Sequence, residues 1–152
     1  MSDSLQRAHE AYFRAIHVID PLRLRFWDSR GATTTQLRVM YEIRKCCEPS
    51  TGALAEELHV RPATLTGLAD RLERNGFVHR WTDAIDRRVV RIGLTDAGNA
   101  LLDEVFAAAA DYLSPIFDRM GEEARDEFTR ALESFIATAA AVQPGPIAAP
   151  VE

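Results

Sequence analysis

Apolar residues recur at three- and four-residue spacing along most of this chain, which is the pattern of an amphipathic α-helix. One such segment spans residues 60–76, where the apolar positions are Leu65, Leu68, Ala69 and Leu72. Its opposite face carries small or short side chains, namely Ala63, Thr64, Thr66, Gly67 and Asp70. A helix with such a face can approach another surface closely, and the major groove of DNA is wide enough to admit it.

The sequence also predicts where this helix begins and ends, and it predicts a second helix before it. Pro62 fits the first helical turn, where its missing N–H costs nothing. Gly76 fits a left-handed C-terminal cap. A shorter helix is predicted over residues 52–58, with Ser50 or Thr51 as its cap and its end at His59. Two helices joined by a short turn form a helix-turn-helix.

Two runs of β-branched and aromatic residues follow, at positions 77–82 and 88–94. The segment 83–87 between them is turn-like, so the runs predict a two-stranded hairpin. Its tip carries Asp86, Arg87 and Arg88, and a basic hairpin tip beside a groove-sized helix suits the minor groove of DNA. Helix-turn-helix and hairpin together predict a winged helix-turn-helix.

Amphipathic helices flank this unit on both sides. Residues 4–28 carry an apolar stripe that Asp20-Pro21 interrupts, either as a kink or as a restart, before Gly31 breaks the helix. Thr33 and Gln36 fit a capping box that starts a supporting helix ending at the cysteine pair 46–47. We expect Met40 and Tyr41 of that helix in the core.

Two long helices are predicted after the hairpin, the first capped by Thr95 and bent at Pro115, the second following Gly121. Their apolar faces exceed what a small winged helix can cover, which implies a second copy of the chain. The expected domains are an N-terminal dimerisation region at 1–30, a DNA-binding domain at 31–95, dimerisation helices at 96–141 and a disordered tail at 142–152. The expected fold class is mainly α with a small β-hairpin wing.

Composition limits the class of protein. The chain has 152 residues, of which 47% are hydrophobic and 27% charged, as in an ordinary soluble domain. It shows neither a membrane-spanning run nor a secretory signal, so we expect a cytoplasmic protein without a membrane partner. The net charge is −5, but residues 61–91 hold seven arginines and four acids, a local +3 against −8 elsewhere. Local positive charge is what DNA binding needs.

The ordered set of motifs resembles the multiple antibiotic resistance regulator (MarR) family of transcription factors. The matching residues are Thr33 and Gln36, Leu54-Ala55, Thr64 and Thr66, 71–78 (RLERNGFV), 86–88 (DRR) and 94–98 (LTDAG). The resemblance implies a homodimeric repressor that binds double-stranded DNA at a pseudo-palindromic operator. It also implies release by a small, often aromatic and anionic, effector that enters a cleft between the dimer helices and the winged domain.

The residues that we assign to DNA are Arg61, Pro62, Ala63, Thr64, Thr66, Gly67, Arg71, Arg74, Asp86, Arg87 and Arg88. The N-terminal part of a recognition helix contacts base edges. The resemblance assigns Arg88 to the minor groove and Asp86 to orienting the loop, although spacing alone does not choose between Arg87 and Arg88. Each assignment has a structural alternative.

Gly67 admits either DNA or a neighbouring helix, while Arg71 and Arg74 contact phosphate or pair with Asp70 and Glu73. Residues 79, 80 and 91 either contact the DNA backbone or lie on the protein surface without a role in binding.

Two positions depart from the family pattern. His59 stands where glycine is usual in the turn, and histidine tolerates a left-handed conformation with some strain. Arg61 takes the place of a capping Ser or Asp, so the helix that follows it lacks a side-chain N-cap. The guanidinium of Arg61 is long enough to contact a DNA phosphate instead.

Candidates for effector binding are aromatic or polar residues near the expected cleft, namely Tyr12, His17, Arg23, Phe26, Trp27 and Tyr41, with Arg25 as another cation. We expect most of them in the core. Cys46 and Cys47 suggest a thiol-based redox or metalloid sensor as one alternative, against buried and inert cysteines. A winged-helix interaction module without DNA binding is another. Neither metal spacing nor a catalytic motif is present, so we expect no metal, no cofactor and no enzyme.

Overall fold

The computed structural model describes residues 2–21 and 32–142 of the chain. The helices that precede the hairpin are α1 (Asp3–Val18), α2 (Thr34–Cys46), α3 (Thr51–Glu57) and α4 (Pro62–Arg74). The hairpin consists of β1 (Val78–Thr82) and β2 (Val90–Leu94). The helices that follow it are α5 (Asp96–Met120) and α6 (Glu122–Val142). The architecture is therefore mainly α with one β-hairpin, as the sequence predicts.

The core of the described residues lies in the winged unit and at the start of α5. It is formed by apolar side chains of α2, α3, α4, both strands and α5, including Met40, Leu54, Leu65, Leu72, Ile92 and Leu102. Met40 is fully buried, as expected, but the same expectation for Tyr41 is wrong, because 44% of its surface is exposed. Position 41 lies at the edge of the apolar face of α2, where its ring packs edge-on against Phe106.

Side-chain caps start the helices where the sequence places them. Thr33 and Gln36 form the predicted capping box, in which Thr33 N–H donates to Gln36 Oε1 at 2.8 Å and Gln36 N–H to Thr33 Oγ1 at 3.2 Å. Ser50, rather than Thr51, caps α3 by accepting from Ala53 N–H at 3.1 Å. Each bond satisfies a backbone donor that the first helical turn leaves without a partner.

The end of α4 confirms the left-handed cap. Gly76 has φ 75°, Phe77 N–H donates to Leu72 O at 2.9 Å, and Gly76 N–H donates to Glu73 O at 2.9 Å. This pair of bonds defines a Schellman motif, which favours glycine at the left-handed position. The chain therefore reverses tightly into β1.

The hairpin is antiparallel, with Val78 opposite Leu94 and Thr82 opposite Val90. Its strands lie within the predicted runs, but β1 begins at Val78 rather than at residue 77, and β2 begins at Val90 rather than at residue 88, because Arg88 and Val89 belong to the loop. In that loop Val89 N–H donates to Asp86 O at 2.9 Å and Asp83 N–H donates to Val89 O at 2.9 Å. The wing loop is thus residues 83–89.

Strand β2 passes into α5 through one residue, Thr95. Its N–H donates to Phe77 O at 3.0 Å, its hydroxyl donates to Gly76 O at 2.6 Å, and its Oγ1 accepts from Gly98 N–H at 3.0 Å. Gly98 is buried, and a Cβ there would lie 2.1 Å from Phe77 O. The 94–98 motif therefore fixes the start of α5 against the end of α4.

Helices α1 and α6 differ from the sequence expectation in their bounds, whereas α5 starts after its Thr95 cap and ends before Gly121, as expected. Helix α1 ends at Val18, two residues before Asp20-Pro21, and residues 22–31, including the break expected at Gly31, lie outside the described residues. Helix α5 continues through Pro115 to Met120. Val142, expected to begin the tail, is the last residue of α6, and residues 143–152 lie outside the described residues.

Candidate nucleic-acid interface

The N-terminal half of α4 presents its small residues outward. Leu65, Ala69 and Leu72 are buried, whereas Ala63, Thr64, Thr66 and Gly67 on the other side are exposed. Pro62 occupies the first helical turn, as predicted, and Arg61 precedes it without a capping side-chain bond. The anticipated loss of this cap is confirmed, and the Arg61 side chain is exposed.

Gly67 faces open space. A Cβ placed on it would meet no heavy atom within 4 Å outside the adjoining helix backbone. Close packing against a neighbouring helix, one of the two reasons considered for a glycine here, is therefore wrong for the described chain. The other reason considered, the approach of a phosphate or base of DNA, stays a prediction.

A shallow groove joins this part of α4 to the wing. Its walls come from the start of α3, from Pro62 and Thr66 on α4, and from Arg80 and Val90 of the hairpin. The exposed start of α4 and the base of the wing therefore lie side by side on one surface.

The turn between α3 and α4 tolerates its histidine in the way expected. His59 has φ 54°, in the left-handed region, and Val60 N–H donates to Ala55 O at 3.0 Å. His59 Nδ1 lies 3.0 Å from Glu57 O, and since a carbonyl only accepts, this contact requires the proton on Nδ1. The tight turn survives with histidine in place of the family's glycine.

The acidic residues of α4 pair with the hairpin. Arg80 donates from Nε to Glu73 Oε2 at 3.1 Å and lies 2.7 Å from Asp70 Oδ1 through Nη2. Hydrogen bonding to the Arg80 guanidinium lowers the pKa of Glu73 below its usual value. The alternative considered for Arg71 and Arg74, side-chain pairing with these two acids, does not form among the described residues, although Arg74 Nε donates to Asp70 O at 3.3 Å. Arg71 and Arg74 are exposed, whereas Arg80 is tied to α4.

Asp83, which the sequence did not single out, organises the wing loop. Its Oδ1 accepts from Ile85 N–H at 2.8 Å and Asp86 N–H at 3.1 Å, and its Oδ2 accepts from Arg91 Nε. The Arg91 bond, followed by the two backbone donors, lowers the pKa of Asp83 to about 2. The carboxylate is therefore fully ionised at neutral pH.

The wing tip carries two exposed arginines, Arg87 and Arg88. Asp86 Oδ1 accepts from Arg88 N–H at 3.0 Å, which agrees with the loop-orienting role expected of Asp86. Arg91, by contrast, is committed to Asp83 and to Glu48 O, which accepts from its Nη1 at 3.0 Å. Arg91 therefore has a structural role in the wing, whereas the side chains of Arg87 and Arg88 form no ion pair within the described chain.

The effector candidates divide between two places. Tyr12 is half exposed rather than in the core and packs near Phe135 at 5.6 Å between ring centroids, while His17 Nδ1 lies 2.6 Å from Asp20 Oδ2. Tyr41 lies elsewhere, beside Phe106. The candidates Arg23, Arg25, Phe26 and Trp27 lie outside the described residues.

A cation and an aromatic ring that the sequence did not single out adjoin Tyr41. Arg44 lies 5.0 Å above the centre of the Phe106 ring and donates to Asp103 Oδ1 at 2.7 Å, joining α2 to α5. Half of this cluster comes from a helix about sixty positions further along the chain, so periodicity within α2 does not predict it.

Cys46 and Cys47 are free and exposed, which contradicts the expectation of buried cysteines. Cys47 and Glu48 both have positive φ, 50° and 63°, because the chain turns sharply at the end of α2. Among residues 2–21 and 32–142, no three His, Cys, Asp or Glu side chains are grouped to hold a metal ion. In the same ranges, no helix has the length and apolar content to cross a membrane.

A helix pair, an outward face of small residues and an arginine-tipped hairpin define a winged helix-turn-helix protein of the DNA-binding class. The sequence model of the MarR family matches residues 32–90. The chain is 32% identical over 123 residues to the HTH-type transcriptional repressor MdtR of Bacillus subtilis, covering 81% of this chain and 77% of MdtR. The chain therefore belongs to the MarR family of DNA-binding transcriptional regulators.

Solved structures show the same fold. A MarR family protein from Bacillus stearothermophilus superposes with TM-score 0.78 at 24% identity, covering 92% of this chain and 99% of that one. FabT of Streptococcus pneumoniae, solved in complex with DNA, gives TM-score 0.77 at 22% identity over 92% of this chain and 98% of its own. The winged-helix fold and the flanking helices predicted from the sequence are thereby confirmed.

Proposed function

We propose that the protein is a homodimeric repressor that binds a pseudo-palindromic operator in double-stranded DNA. The start of α4 enters the major groove, and the wing tip enters the minor groove. The observation that carries this proposal is the shared surface on which small outward residues of α4 adjoin a wing with two exposed arginines that form no ion pair among the described residues. The repressor name of MdtR and the DNA complex of FabT support it.

The assigned contacts follow from exposure and chemistry. Thr64 and Thr66, with Ala63 and Gly67, are short enough to let the helix backbone approach base edges, which is how direct readout works. Arg61, Arg71 and Arg74 are placed for phosphates, which fix orientation and add salt-dependent affinity. Either Arg87 or Arg88 inserts at the minor groove, and Asp86 holds the tip.

A second copy of the chain covers the outer helices. In a single chain α1 and α6 have no buried residue, and Phe13, Phe135 and Ile136 are 61%, 54% and 63% exposed. Monomeric proteins rarely expose apolar surface on this scale. Two-fold pairing through these helices presents two α4 helices to successive major grooves, about 34 Å apart.

An effector site is proposed where the winged unit meets α5. Tyr41 and Phe106 offer half-exposed aromatic faces, and Arg44 beside them offers a cation for an aromatic carboxylate. An effector that binds one separation of the two lobes more tightly than another shifts the dimer away from its DNA-binding shape by that difference in affinity. Tyr12, which packs beside Phe135, and His17 on α1 remain candidates for a separate effector contact, as do Arg23, Phe26 and Trp27.

The test begins with fragments selected from the host genome by the purified protein, whose affinity is then measured by fluorescence anisotropy. Arg88→Ala is expected to weaken operator binding by about 1 to 3 kcal/mol. Arg38→Ala, which removes an exposed arginine from α2 to which no DNA contact is assigned, is the matched control and should leave binding unchanged. A monomer that ignores every oligonucleotide even at low salt would refute the proposal and favour an interaction module without DNA binding.

The effector site is tested by titrating aromatic carboxylates against the bound operator. Arg44→Gln should raise the concentration needed for release, whereas Asp103→Asn breaks the same ion pair but keeps the cation, and should respond as well as the parent. Equal responses of the two variants would show that Arg44 does not bind the anion.

A thiol-responsive regulator is the second candidate function, because both cysteines are exposed and the turn that holds them is bonded to β2. Glu48 O and Pro49 O accept from Arg91 Nη1 and Ile92 N–H, at 3.0 and 3.1 Å. If this candidate is right, alkylation with iodoacetamide weakens operator binding of the parent but not of the Cys46→Ser/Cys47→Ser variant. Equal binding before and after alkylation rejects it.

The proposed function places the protein in the compartment that holds the DNA, which is the cytoplasm in the bacterium of MdtR. It involves no catalytic step and no cofactor, since binding energy alone accounts for occupancy and release of the operator.

A further inference from the structure

We infer that Asp83 and Arg91 form a positioning pair, which holds the wing loop in the one conformation that lets Arg88 reach DNA. This inference rests on the proposed function, because it assigns a role within the wing contact. Neither residue touches DNA in this account. Both act through the backbone of residues 83–89.

Three hydrogen bonds of the wing loop end on one carboxylate, that of Asp83. Asp83 accepts two backbone N–H groups, from Ile85 and Asp86, on one oxygen and the Arg91 guanidinium on the other. Its own N–H donates to Val89 O, which closes the loop at 2.9 Å. Only 12% of the Asp83 side chain is exposed. A shielded, charge-assisted set of bonds is stronger than its solvent-exposed equivalent.

The order that Asp83 imposes on the loop extends to the wing tip through further hydrogen bonds. The Asp86 N–H that Asp83 holds belongs to the residue whose Oδ1 accepts from Arg88 N–H at 3.0 Å. The bonds therefore run in series from Asp83 through Asp86 to the backbone of Arg88. A loop ordered before binding loses less conformational freedom when it meets its ligand.

Arg91 also anchors the wing loop to the helical part of the protein. Arg91 Nη1 donates to Glu48 O at 3.0 Å, in the turn that follows α2. Arg91 thus ties the loop to the helical body as well as to Asp83. A guanidinium supplies several donors in a fixed fork, whereas a lysine ammonium at the end of a flexible chain does not reproduce that geometry.

The sign of the expected effect separates positioning from simple charge. Asp83→Asn removes a negative charge from the face that meets DNA, so electrostatics alone predicts tighter binding. Loss of the loop order predicts weaker binding, by about tenfold for one charge-assisted bond. The two explanations therefore predict opposite directions.

The experiment is a double-mutant cycle on operator affinity, measured with the full-length protein. Asp83→Asn is expected to weaken binding about tenfold in the parent and hardly at all in the Arg88→Ala background, because its effect passes through Arg88. Asp118→Asn is the matched control, since it removes the same charge and an arginine contact of 3.9 Å on α5, and should leave affinity unchanged. Arg91→Lys, which keeps the charge, should fall between the parent and Asp83→Asn.

Each outcome has a distinct meaning. If Arg88→Ala leaves binding unchanged, this inference is overturned, and if Arg87→Ala leaves it unchanged as well, the wing contact in the proposed function is also wrong. If Arg88→Ala weakens binding but Asp83→Asn does not, only the positioning role is wrong. If the losses from Asp83→Asn and Arg88→Ala simply add, Asp83 acts on general stability, and the inference is overturned as well.

Discussion

Replacing Gly98 by alanine is expected to destabilise the protein strongly, although alanine is the better helix former. A Cβ at this position lies 2.1 Å from Phe77 O, whereas ordinary contacts begin at 3.4 Å, so the atoms must separate by about 1.3 Å. The atom that the new Cβ would meet, Phe77 O, belongs to the backbone, and it also accepts from Thr95 N–H at 3.0 Å. The start of α5 cannot move away without stretching that bond.

The magnitude follows from three contributions. Overpacking of a close-packed site costs about 1 to 3 kcal/mol, and a weakened backbone hydrogen bond about 1 kcal/mol. Alanine returns up to about 1 kcal/mol through helix propensity. Because backbone cannot rotate out of the way as a side chain can, we expect a net loss near the upper end, about 3 kcal/mol.

Gly67→Ala is the matched control, because it makes the same substitution in a helix where no heavy atom of the described chain outside the adjoining helix backbone lies within 4 Å of the new Cβ. It should stabilise the fold by up to about 1 kcal/mol. The two variants are compared by urea unfolding followed by circular dichroism, at one protomer concentration because the dimerisation proposed above makes stability depend on concentration. A Gly98→Ala protein as stable as its parent would refute the steric reasoning.

Three further predictions concern stability and assembly. Because the folded pKa of Asp83 is about 2 against an ordinary 3.8, its stabilisation is complete above pH 3.8 and lost as pH falls towards 2; Asp83→Asn should flatten acid unfolding curves in that interval. Thr33→Ala, which removes half of the capping box, should lower the free energy of unfolding by about 1 kcal/mol in urea. Ile136→Glu should yield a folded monomer by sedimentation, and a stable dimer would contradict the proposed interface.

The elements that the sequence predicted well are those set by local rules. The Thr33 capping box, the first turn at Pro62 and the left-handed Gly76 each depend on residues a few positions apart, so the pattern alone identifies them. The strands of the hairpin followed from β-branched runs on either side of a turn. Bounds shifted by one or two residues where loop bonds, as at Val89, competed with strand pairing.

The contacts that the sequence missed join residues from different elements. Arg80 finds Glu73 only because the hairpin folds back on α4, and Arg91 reaches Glu48 across 43 positions. Which acid pairs with which arginine is decided by that packing and not by spacing along one helix. Residues at the edge of an apolar face are equally ambiguous, which is why Tyr41 was assigned to the core and lies half exposed.

Because only Thr95 separates β2 from α5, a tilt of α5 is transmitted directly to the hairpin. The helix has 25 residues and so is about 37 Å long, and a tilt of roughly 5° at its far end displaces the near end by about 3 Å. Since no flexible linker absorbs that movement, the hairpin must travel with it. In the proposed dimer, small changes in the angle at which the two subunits cross would thereby produce shifts comparable to the rise of one base pair.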